Sequence, residues 1–328
     1  NRATQAERQP GSAMKPFVYL AAIQSGKTPG SIVDDSPVTF GNWSPKNYEN
    51  DFVGNITYRY ALQHSRNVAA VKIADEVGMT KVIKLAKEMG ISTLTDQDYN
   101  LSTALGGLTH GVTPLEMVQA YGVLANGGIK VQPTAILKIV DRNGQVVEEH
   151  SIQEKRVVDE KDAAIITNML ESVINGGTGG NAAIGRPAAG KTGTTDDSKD
   201  AWFVGYTPDL VAAVWIGDDY GSETLRGMTG GDTPAIMWGQ FMANALANTP
   251  ASDFSVPASA QSAVSEGYYN PVKAQPKKEA AKDEKADKKD DKDKSKDEAV
   301  KDDSGSKDDA TEQKSNSSKS KKSSKKDR

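Results

Sequence analysis

Residues Gly185–Thr195, GRPAAGKTGTT, decide which of two folds the chain adopts. The part Gly185–Thr192 satisfies G-x-x-x-x-G-K-[ST], the pattern of a phosphate-binding loop in nucleotide enzymes. The part Lys191–Gly193 also reads as K-T-G, the third of three motifs, beginning with S-x-x-K, that serve acyl transfer through a serine. The two interpretations require different neighbouring elements, so the rest of the chain distinguishes them.

A phosphate-binding loop follows a buried strand and leads directly into a helix whose N-terminus holds the phosphates. Upstream, residues 181–189 (NAAIGRPAA) are rich in Gly and Ala and contain Pro187, so they lack the pattern of a buried strand. Downstream, residues 192–200 lead into AWFVGY, which is typical of a strand. A P-loop NTPase that uses Gly185–Thr192 therefore remains the less supported alternative.

The acyl-transfer interpretation needs a serine followed three residues later by a lysine on one helix face. Ser12–Lys15 (SAMK) meets this condition at the start of an apolar helix that is predicted to begin close to Ser12, because Pro16 is tolerated only in a first turn. A lysine desolvated by apolar neighbours loses its proton and can act as a base toward the serine hydroxyl. Other S-x-x-K sequences occur only in the polar C-terminal tail, at Ser304–Lys307, Ser318–Lys321 and Ser323–Lys326.

The second element is a hydroxyl and an amide on a loop that can face the nucleophile. Ser65-Arg66-Asn67 lies between two helical runs, TYRYALQH and VAAVKIADEVG. Ser65 would relay a proton to the leaving group, and Asn67 would hold a substrate amide. An isolated S-x-N is more often a helix cap, so this motif carries weight only together with the other two.

The third element supplies charge and hydroxyl groups at the edge of a cleft. Lys191 would provide the positive charge, and the hydroxyls of Thr192 and Thr194 can bind a carboxylate. Gly193 would let a substrate approach the backbone closely. Taken alone, K-T-G is also compatible with an exposed turn. All three motifs occur in order, each on the expected kind of element, which favours acyl transfer.

The remaining pattern predicts an α+β fold in which helices cover a small antiparallel sheet. Residues 26–55 contain scattered Pro, Gly and Asn and predict an irregular surface segment. The predicted elements after it are a helix at Thr80–Met89, a helix opened by the capping box Thr113–Glu116, a hairpin around Arg142–Gly144, a helix from Asp159, a hairpin of AWFVGY and LVAAVWIG, and a helix from Thr233.

Composition excludes several kinds of site. The chain has 328 residues, a formal net charge of -4, no cysteine and 3 histidines. Disulfides, thiolate metal sites, a histidine-based triad and a zinc site are therefore not expected. We also expect no nucleic-acid partner. No run of residues is long and apolar enough to span a bilayer.

The C-terminal residues 277–328 contain no aromatic residue and are dominated by Lys, Asp and Ser, which predicts disorder. Their basic end, from Lys314, suits contact with an anionic polymer or lipid, although a merely solubilising tail is the more economical explanation. We divide the chain into a domain at residues 1–250, a linker at 251–276 and the tail at 277–328.

Several long stretches occur together in a known order: GSAMKPF, SRNV, THGVTPLEMVQAYGVLANGG, GKTGTT and DAWFVGYTPDLVAAVWIGDD. Over about residues 1–250 the chain resembles the transpeptidase domain of class A (bifunctional) penicillin-binding proteins. The resemblance implies a peptidoglycan D,D-transpeptidase that crosslinks stem peptides through an acyl-Ser12 intermediate and that β-lactam antibiotics acylate at the same serine. It implies no metal and no organic cofactor.

The resemblance also implies the role of each site residue. Lys15 would be the acylation base, Ser65 and Lys191 would carry protons to the leaving group, and Asn67 would fix the acyl chain's amide. Thr192 and Thr194, beside Gly193, would receive the substrate carboxylate. The backbone N–H groups of Ser12 and Thr194 would form the oxyanion hole.

Proteins of this family carry sheet strands before the serine helix, a glycosyltransferase domain and an N-terminal membrane anchor. We therefore expect the chain to lack the N-terminal strands, and expect its parent to act at the extracytoplasmic face of the bacterial membrane. The enzyme alternatives on the same fold are a serine β-lactamase and a D,D-carboxypeptidase. A binding module with an inactive site is the non-catalytic alternative.

Overall fold

The structure is a computed structural model that describes residues 1–268. Its α-helices are α1 (Arg2–Gln5), α2 (Lys15–Gln24), α3 (Tyr58–Gln63), α4 (Asn67–Val77), α5 (Met79–Met89), α6 (Pro114–Ala125), α7 (Glu160–Ile174), α8 (Thr233–Ala245) and α9 (Gln261–Val264). Its strands are β1 (Ile32–Asp35), β2 (Gly54–Thr57), β3 (Ile129–Val131), β4 (Lys138–Val140), β5 (Val146–Glu149), β6 (Glu154–Arg156), β7 (Ala189–Thr194), β8 (Asp200–Tyr206) and β9 (Val211–Gly217).

Strands β7, β8 and β9 form the central antiparallel sheet, in that order. Side chains alternate between the two faces of a strand. Trp202, Val204 and Tyr206 of β8 accordingly join the larger core with α2, α6 and α7, whereas Phe203 packs with Trp238 of α8. The sheet is thus covered by helices on both faces, which confirms the predicted α+β fold.

The serine of the first motif lies in a short 3-10 turn, Gly11–Met14, that runs into α2, rather than in the α-helix itself. The cause is Pro16, which has no N–H to donate to the carbonyl of Ser12 four residues earlier. The N–H of Lys15 donates to Ser12 O instead, which closes a tighter turn. Residues 15–23 of α2 are buried on every side, as the apolar sequence predicts.

The prediction of an irregular segment at residues 26–55 was wrong at β1 and at the start of β2, which pair in antiparallel register. The inward residues of β1 are Val33 and Asp35, so a carboxylate interrupts the apolar alternation that identifies a strand. The three-residue strands β3 and β6 also pair and are too short to predict from sequence. The hairpin β4–β5, the capping box of α6 and the hairpin β8–β9 are confirmed.

Residues 251–268, predicted to belong to a linker, pack against the domain. Ala260 is fully buried, and the buried guanidinium of Arg59 in α3 donates to the carbonyls of Glu266 (2.7 Å) and Val264 (2.9 Å). This contact could not be predicted from the sequence, because a buried arginine does not contribute to the apolar pattern that indicates burial. The tail, with its three S-x-x-K sequences and basic end, lies outside the described residues. Within residues 1–268, no helix has the length and apolar content needed to cross a membrane.

Replacing Arg59 with Ala is expected to lower the free energy of unfolding by about 3 kcal/mol, because it removes a buried guanidinium that donates to the partly buried carbonyls of Glu266 and Val264. Chemical denaturation at neutral pH measures the change. Arg142→Ala, in the exposed turn between β4 and β5, is the control and should change stability by less than about 0.5 kcal/mol. Equal stabilities of the two variants would show that the hydrogen bonds of Arg59 contribute nothing measurable to the stability of the fold.

Candidate active site

The structure brings the three motifs together around one cleft of about 500 Å³. Ser12 lies on one wall, Ser65 and Asn67 on a second, and Thr192 and Thr194 on a third. The side chains of Lys15 and Lys191 lie behind these walls and are fully buried. All sequence-predicted site residues therefore lie at or directly beside this cleft, and their roles stay predictions.

Two glycines allow strand β7 to run directly against the turn that carries Ser12. A Cβ atom on Gly193 would lie 2.3 Å from the carbonyl oxygen of Pro10, and one on Gly11 would lie 2.4 Å from that of Thr194. Gly11 also has a φ of +54°, which side chains other than glycine rarely adopt. The first and third motifs are therefore in backbone contact, and the amides of Ser12 and Thr194 belong to adjoining segments.

The buried Nζ of Lys15 reaches the second motif rather than Ser12. It lies 2.5 Å from the carbonyl oxygen of Ser65, 2.6 Å from Oδ1 of Asn67 and 3.1 Å from Oγ of Ser65. Burial lowers the pKa of Lys15 well below its ordinary value, and the nearby charge of Lys191 lowers it further. A neutral amine has two N–H donors and one lone pair. In that form the two short contacts use both donors, which leaves the lone pair for the third contact, with Oγ of Ser65.

Lys191 has a different set of partners. Its Nζ lies 2.9 Å from Oγ of Ser65, 3.0 Å from the carbonyl oxygen of Thr192 and 3.2 Å from Oγ1 of Thr192. Three acceptors suit the three donors of an ammonium group. Burial lowers the pKa of Lys191 to about 7. Neither Lys15 nor Lys191 forms an ion pair with a carboxylate in the part of the chain that the structure describes.

Ser65 is the point at which the two lysines meet. Its hydroxyl has one proton to donate and lone pairs to accept, so it can accept from one amine and donate to the other. Ser65 also has a φ of +53°, although it is not a glycine. Such a conformation costs roughly 1–3 kcal/mol and persists only where the surrounding contacts impose it. The arrangement is a short path for a proton between two buried amines.

The third wall of the cleft presents hydroxyl donors. Oγ1 of Thr194 accepts a hydrogen bond from the N–H of Gly230 (3.0 Å), so its own proton is available to a ligand. Oγ1 of Thr192 lies 2.8 Å from that of Thr178, another residue of the cleft wall. Together with the ammonium of Lys191, these hydroxyls are suited to bind an anion such as a carboxylate.

Asn67 is held at both ends of its amide group. Its Oδ1 accepts from Lys15, and its Nδ2 donates to the carbonyl oxygen of Lys46 (2.9 Å). An amide nitrogen carries two protons, so one remains for a substrate carbonyl.

Sequence reasoning missed residues that support this motif from the segment before β2, above all Asp35 and Asn47. The only feature of the sequence that could have indicated them is the unusual number of polar residues in this irregular stretch.

The phosphate-binding-loop interpretation is excluded by the position of its residues. Gly190, Lys191 and Thr192 lie inside strand β7, and the following element is strand β8, not a helix. No helix N-terminus is therefore available for phosphates at this point. Residues 1–268 contain no group of three or more His, Cys, Asp or Glu side chains arranged to hold a metal ion.

Comparison with known proteins gives consistent matches. The sequence model described as "Penicillin binding protein transpeptidase domain" matches residues 1–232. Penicillin-binding protein 1A of Aquifex aeolicus is 41% identical over 264 residues, which cover 78% of this chain and 36% of that protein. The chain thus spans little more than a third of the length of this curated relative.

Solved structures show the same fold. The crystal structure of penicillin-binding protein 1A from Haemophilus influenzae aligns with a TM-score of 0.74 and 30% identity, over 79% of this chain and 45% of that one. The PonA1 protein from Mycobacterium tuberculosis, solved in complex with penicillin V, aligns with a TM-score of 0.70 and 31% identity, over 77% and 73% of the two chains. With the cleft, its three motifs and these matches taken together, the chain belongs to the penicillin-binding protein transpeptidase domain family.

Proposed function

We propose that this domain is a serine D,D-transpeptidase that crosslinks peptidoglycan stem peptides through an acyl-Ser12 intermediate. The observation that carries the proposal is the convergence of two buried lysine amines on the hydroxyl of Ser65, in the cleft that Ser12 lines. Membership of the transpeptidase family supports the same reaction class.

The first half-reaction releases the terminal D-Ala of the donor peptide. Ser12 Oγ attacks the carbonyl carbon of the penultimate D-Ala while Lys15, whose pKa is lowered by burial, accepts the hydroxyl proton. The backbone N–H groups of Ser12 and Thr194 stabilise the oxyanion that forms. When the peptide bond breaks, the proton that Lys15 accepted passes through Ser65 to the leaving amine, which restores Lys15 as a base.

The second half-reaction transfers the acyl group to an amine of a neighbouring stem peptide. The amine attacks the ester carbonyl, its proton returns through Ser65 and Lys15, and Ser12 regains its own proton as the ester bond breaks. An amide crosslink forms and the enzyme is restored. The stem peptides are the substrates, and β-lactams acylate Ser12 as mimics of the donor.

The proposed role of the buried Lys191 is to bind the carboxylate of the donor peptide. An ammonium group without an anionic partner is costly in a protein interior, and the low pKa of Lys191 expresses that cost. A substrate carboxylate bound by Thr192 and Thr194 supplies the missing negative charge. The site therefore binds an anionic donor more tightly when Lys191 is protonated.

A serine β-lactamase is less well supported on the same cleft. Its deacylation needs a carboxylate that activates water beside the acyl-serine. The helical carboxylates Glu76 of α4 and Glu88 of α5 do not line the cleft, and Glu76 pairs with Lys27. Of the carboxylates that do line it (Glu49, Asp51, Asp196 and Asp232), Asp51 pairs with Arg66 and Asp232 accepts hydrogen bonds from Thr229. The preference for a transpeptidase therefore rests on the family match. A D,D-carboxypeptidase differs only in using water as the acceptor and remains the nearest alternative.

The location of the enzyme follows from the proposed substrate. Stem peptides of the cell wall are exposed outside the cytoplasmic membrane, so we place the domain at that face of the bacterial cell. In this proposal the domain is anchored by a segment of its parent protein outside the present chain.

Ser12→Ala should abolish covalent labelling by a fluorescent penicillin, because it removes the only proposed acyl acceptor. Labelling is read on a denaturing gel, where non-covalent ligand is lost. The matched control is Ser323→Ala, which removes the serine of another S-x-x-K and should label like the unaltered protein. Labelling that survives in Ser12→Ala would refute the assignment of the nucleophile.

The fate of benzylpenicillin separates the two enzyme classes. A transpeptidase should form one long-lived adduct per protein that carries the mass of the intact drug, because its acyl-serine is transferred to an amine and is hydrolysed only slowly by water. Mass spectrometry of the protein and absorbance of the free drug follow the two species. Continuous drug hydrolysis at many turnovers per protein would identify a β-lactamase instead.

Lys191→Met is expected to stabilise the protein by on the order of 2 kcal/mol below pH 7, since the buried charge disappears. The folded pKa is about 7 against an ordinary value of 10.5, so between these values the unfolded state binds more protons. The free energy of unfolding of the wild-type protein therefore rises between pH 7 and about 10.5, and the stability gained by Lys191→Met shrinks toward zero. Denaturation midpoints measured at several pH values test this.

The control for this series is Lys84→Met on the exposed face of α5. Its effect on stability should be small and should not vary with pH between 6 and about 10. If Lys191→Met behaved like the control, Lys191 would not be a buried cation in the free protein.

A further inference from the structure

The segment before β2 contacts the Ser65–Asn67 motif through buried polar side chains. Asn47 is only 3% exposed, and its Oδ1 accepts hydrogen bonds from the backbone N–H groups of Asn67 (2.8 Å) and Val68 (3.1 Å). The first N–H groups of a helix have no partner within the helix. The residue at the N-cap of α4, Arg66, makes no side-chain cap, so Asn47 caps this helix from a distant part of the chain.

Asn47 is in turn held by a buried carboxylate. Nδ2 of Asn47 lies 3.0 and 3.1 Å from the two oxygens of Asp35, which is fully buried, and 2.9 Å from the carbonyl oxygen of Asp51. These contacts orient the amide so that its oxygen, and not its nitrogen, faces α4.

Asp35 also holds the residue between the two motif side chains. Nε of Arg66 donates to Asp35 Oδ2 (2.9 Å), and Nη1 donates to Asp51 Oδ1 (2.8 Å). Breaking a buried pair of this kind leaves an uncompensated charge and is strongly unfavourable. Arg66 is therefore fixed, and the backbone of Ser65 before it is kept at its positive φ.

The same segment orients the side chain of Asn67. The carbonyl oxygen of Lys46, the residue before Asn47, accepts from Asn67 Nδ2. Asn67 Oδ1 is thereby directed toward Lys15 Nζ at 2.6 Å. Hydrogen bonds thus connect Asp35 and Asn47 with the side chain of Arg66, the residue after Ser65, and with the backbone of Asn67.

We propose that Asn47 and Asp35 are positioning residues that hold Ser65 and Asn67 in the geometry required for acylation. The inference rests on the proposed function, since it concerns the same reaction. Neither side chain needs to touch the substrate. Both act on the backbone and side chains of the second motif.

Asn47→Ala should reduce the first-order acylation constant for a fluorescent penicillin by about tenfold or more, because small displacements of reacting groups reduce rates strongly. Saturation kinetics separate this constant from the dissociation constant of the pre-covalent complex. We expect the dissociation constant of that complex to change less than the acylation constant. The labelling rate is normalised to the folded fraction from thermal unfolding.

The matched control is Thr113→Ala, which removes the N-cap of α6 and lines no part of the cleft. It should lower the melting temperature about as much as Asn47→Ala and leave the acylation constant unchanged. If the two variants lost acylation equally, or if Asn47→Ala labelled at the normal rate, the positioning role would be refuted. The proposed function itself would stand as long as labelling still depends on Ser12.

Asp35→Asn gives a second measurement that a purely structural role would not move. The charged groups that face Lys15 are Lys191 on β7, Asp196 after it, Arg66 before α4 and Asp35 on β1. The carboxylate of Asp35 raises the pKa of Lys15, whereas Arg66 lowers it.

Removing the Asp35 charge should therefore move the rising limb of the acylation–pH profile to lower pH. Asn is close to Asp in size and Arg66 keeps its ion pair with Asp51, so this variant tests the network even if Asn47→Ala folds poorly. If the rising limb of the Asp35→Asn profile stays at the pH of the wild-type protein and the acylation constant is normal, the proposal is overturned.

Discussion

The hydroxyl of Ser65 lies within hydrogen-bond distance of two buried lysine amines, which belong to segments far apart in the sequence. Lys15 reaches it from the start of α2 and Lys191 from the middle of β7, at 3.1 and 2.9 Å. Both amines are excluded from water, and the charge of Lys191 disfavours a charge on Lys15. This shared contact requires the helix, the loop and the strand to meet within a few ångströms. The packing of the domain around the cleft depends on that meeting.

The close approach of the helix, the loop and the strand imposes conditions on the backbone. Strand β7 can lie against the Ser12 turn only because Gly11 and Gly193 have no side chains. Ser65 adopts a conformation that is unfavourable for its residue type. Buried lysines without carboxylate partners add a further electrostatic cost. The large apolar core formed by α2, α4, α6 and α7 supplies the stability that offsets these unfavourable features.

Much of the fold could be predicted because it rests on local patterns. The capping box at Thr113–Glu116, the alternating strands β8 and β9 and the apolar α2 each carry a signal within a few residues. β1 escaped prediction because an inward carboxylate, Asp35, breaks its pattern. The packed segment after residue 250 escaped because Arg59 binds its carbonyl groups, and the sequence around those carbonyls carries no mark of the contact.

The sequence by itself determined the residue types of the candidate site: a serine, two lysines, a second serine, an asparagine and two threonines, in three short motifs. Only the tertiary structure decided which atoms meet. It showed that Lys15 contacts Ser65 and Asn67, and that Asn47, far from α4 along the chain, caps that helix. The physical reason is that motif spacing reflects local chain geometry. Hydrogen bonds between segments depend on burial and register, which are properties of the whole fold.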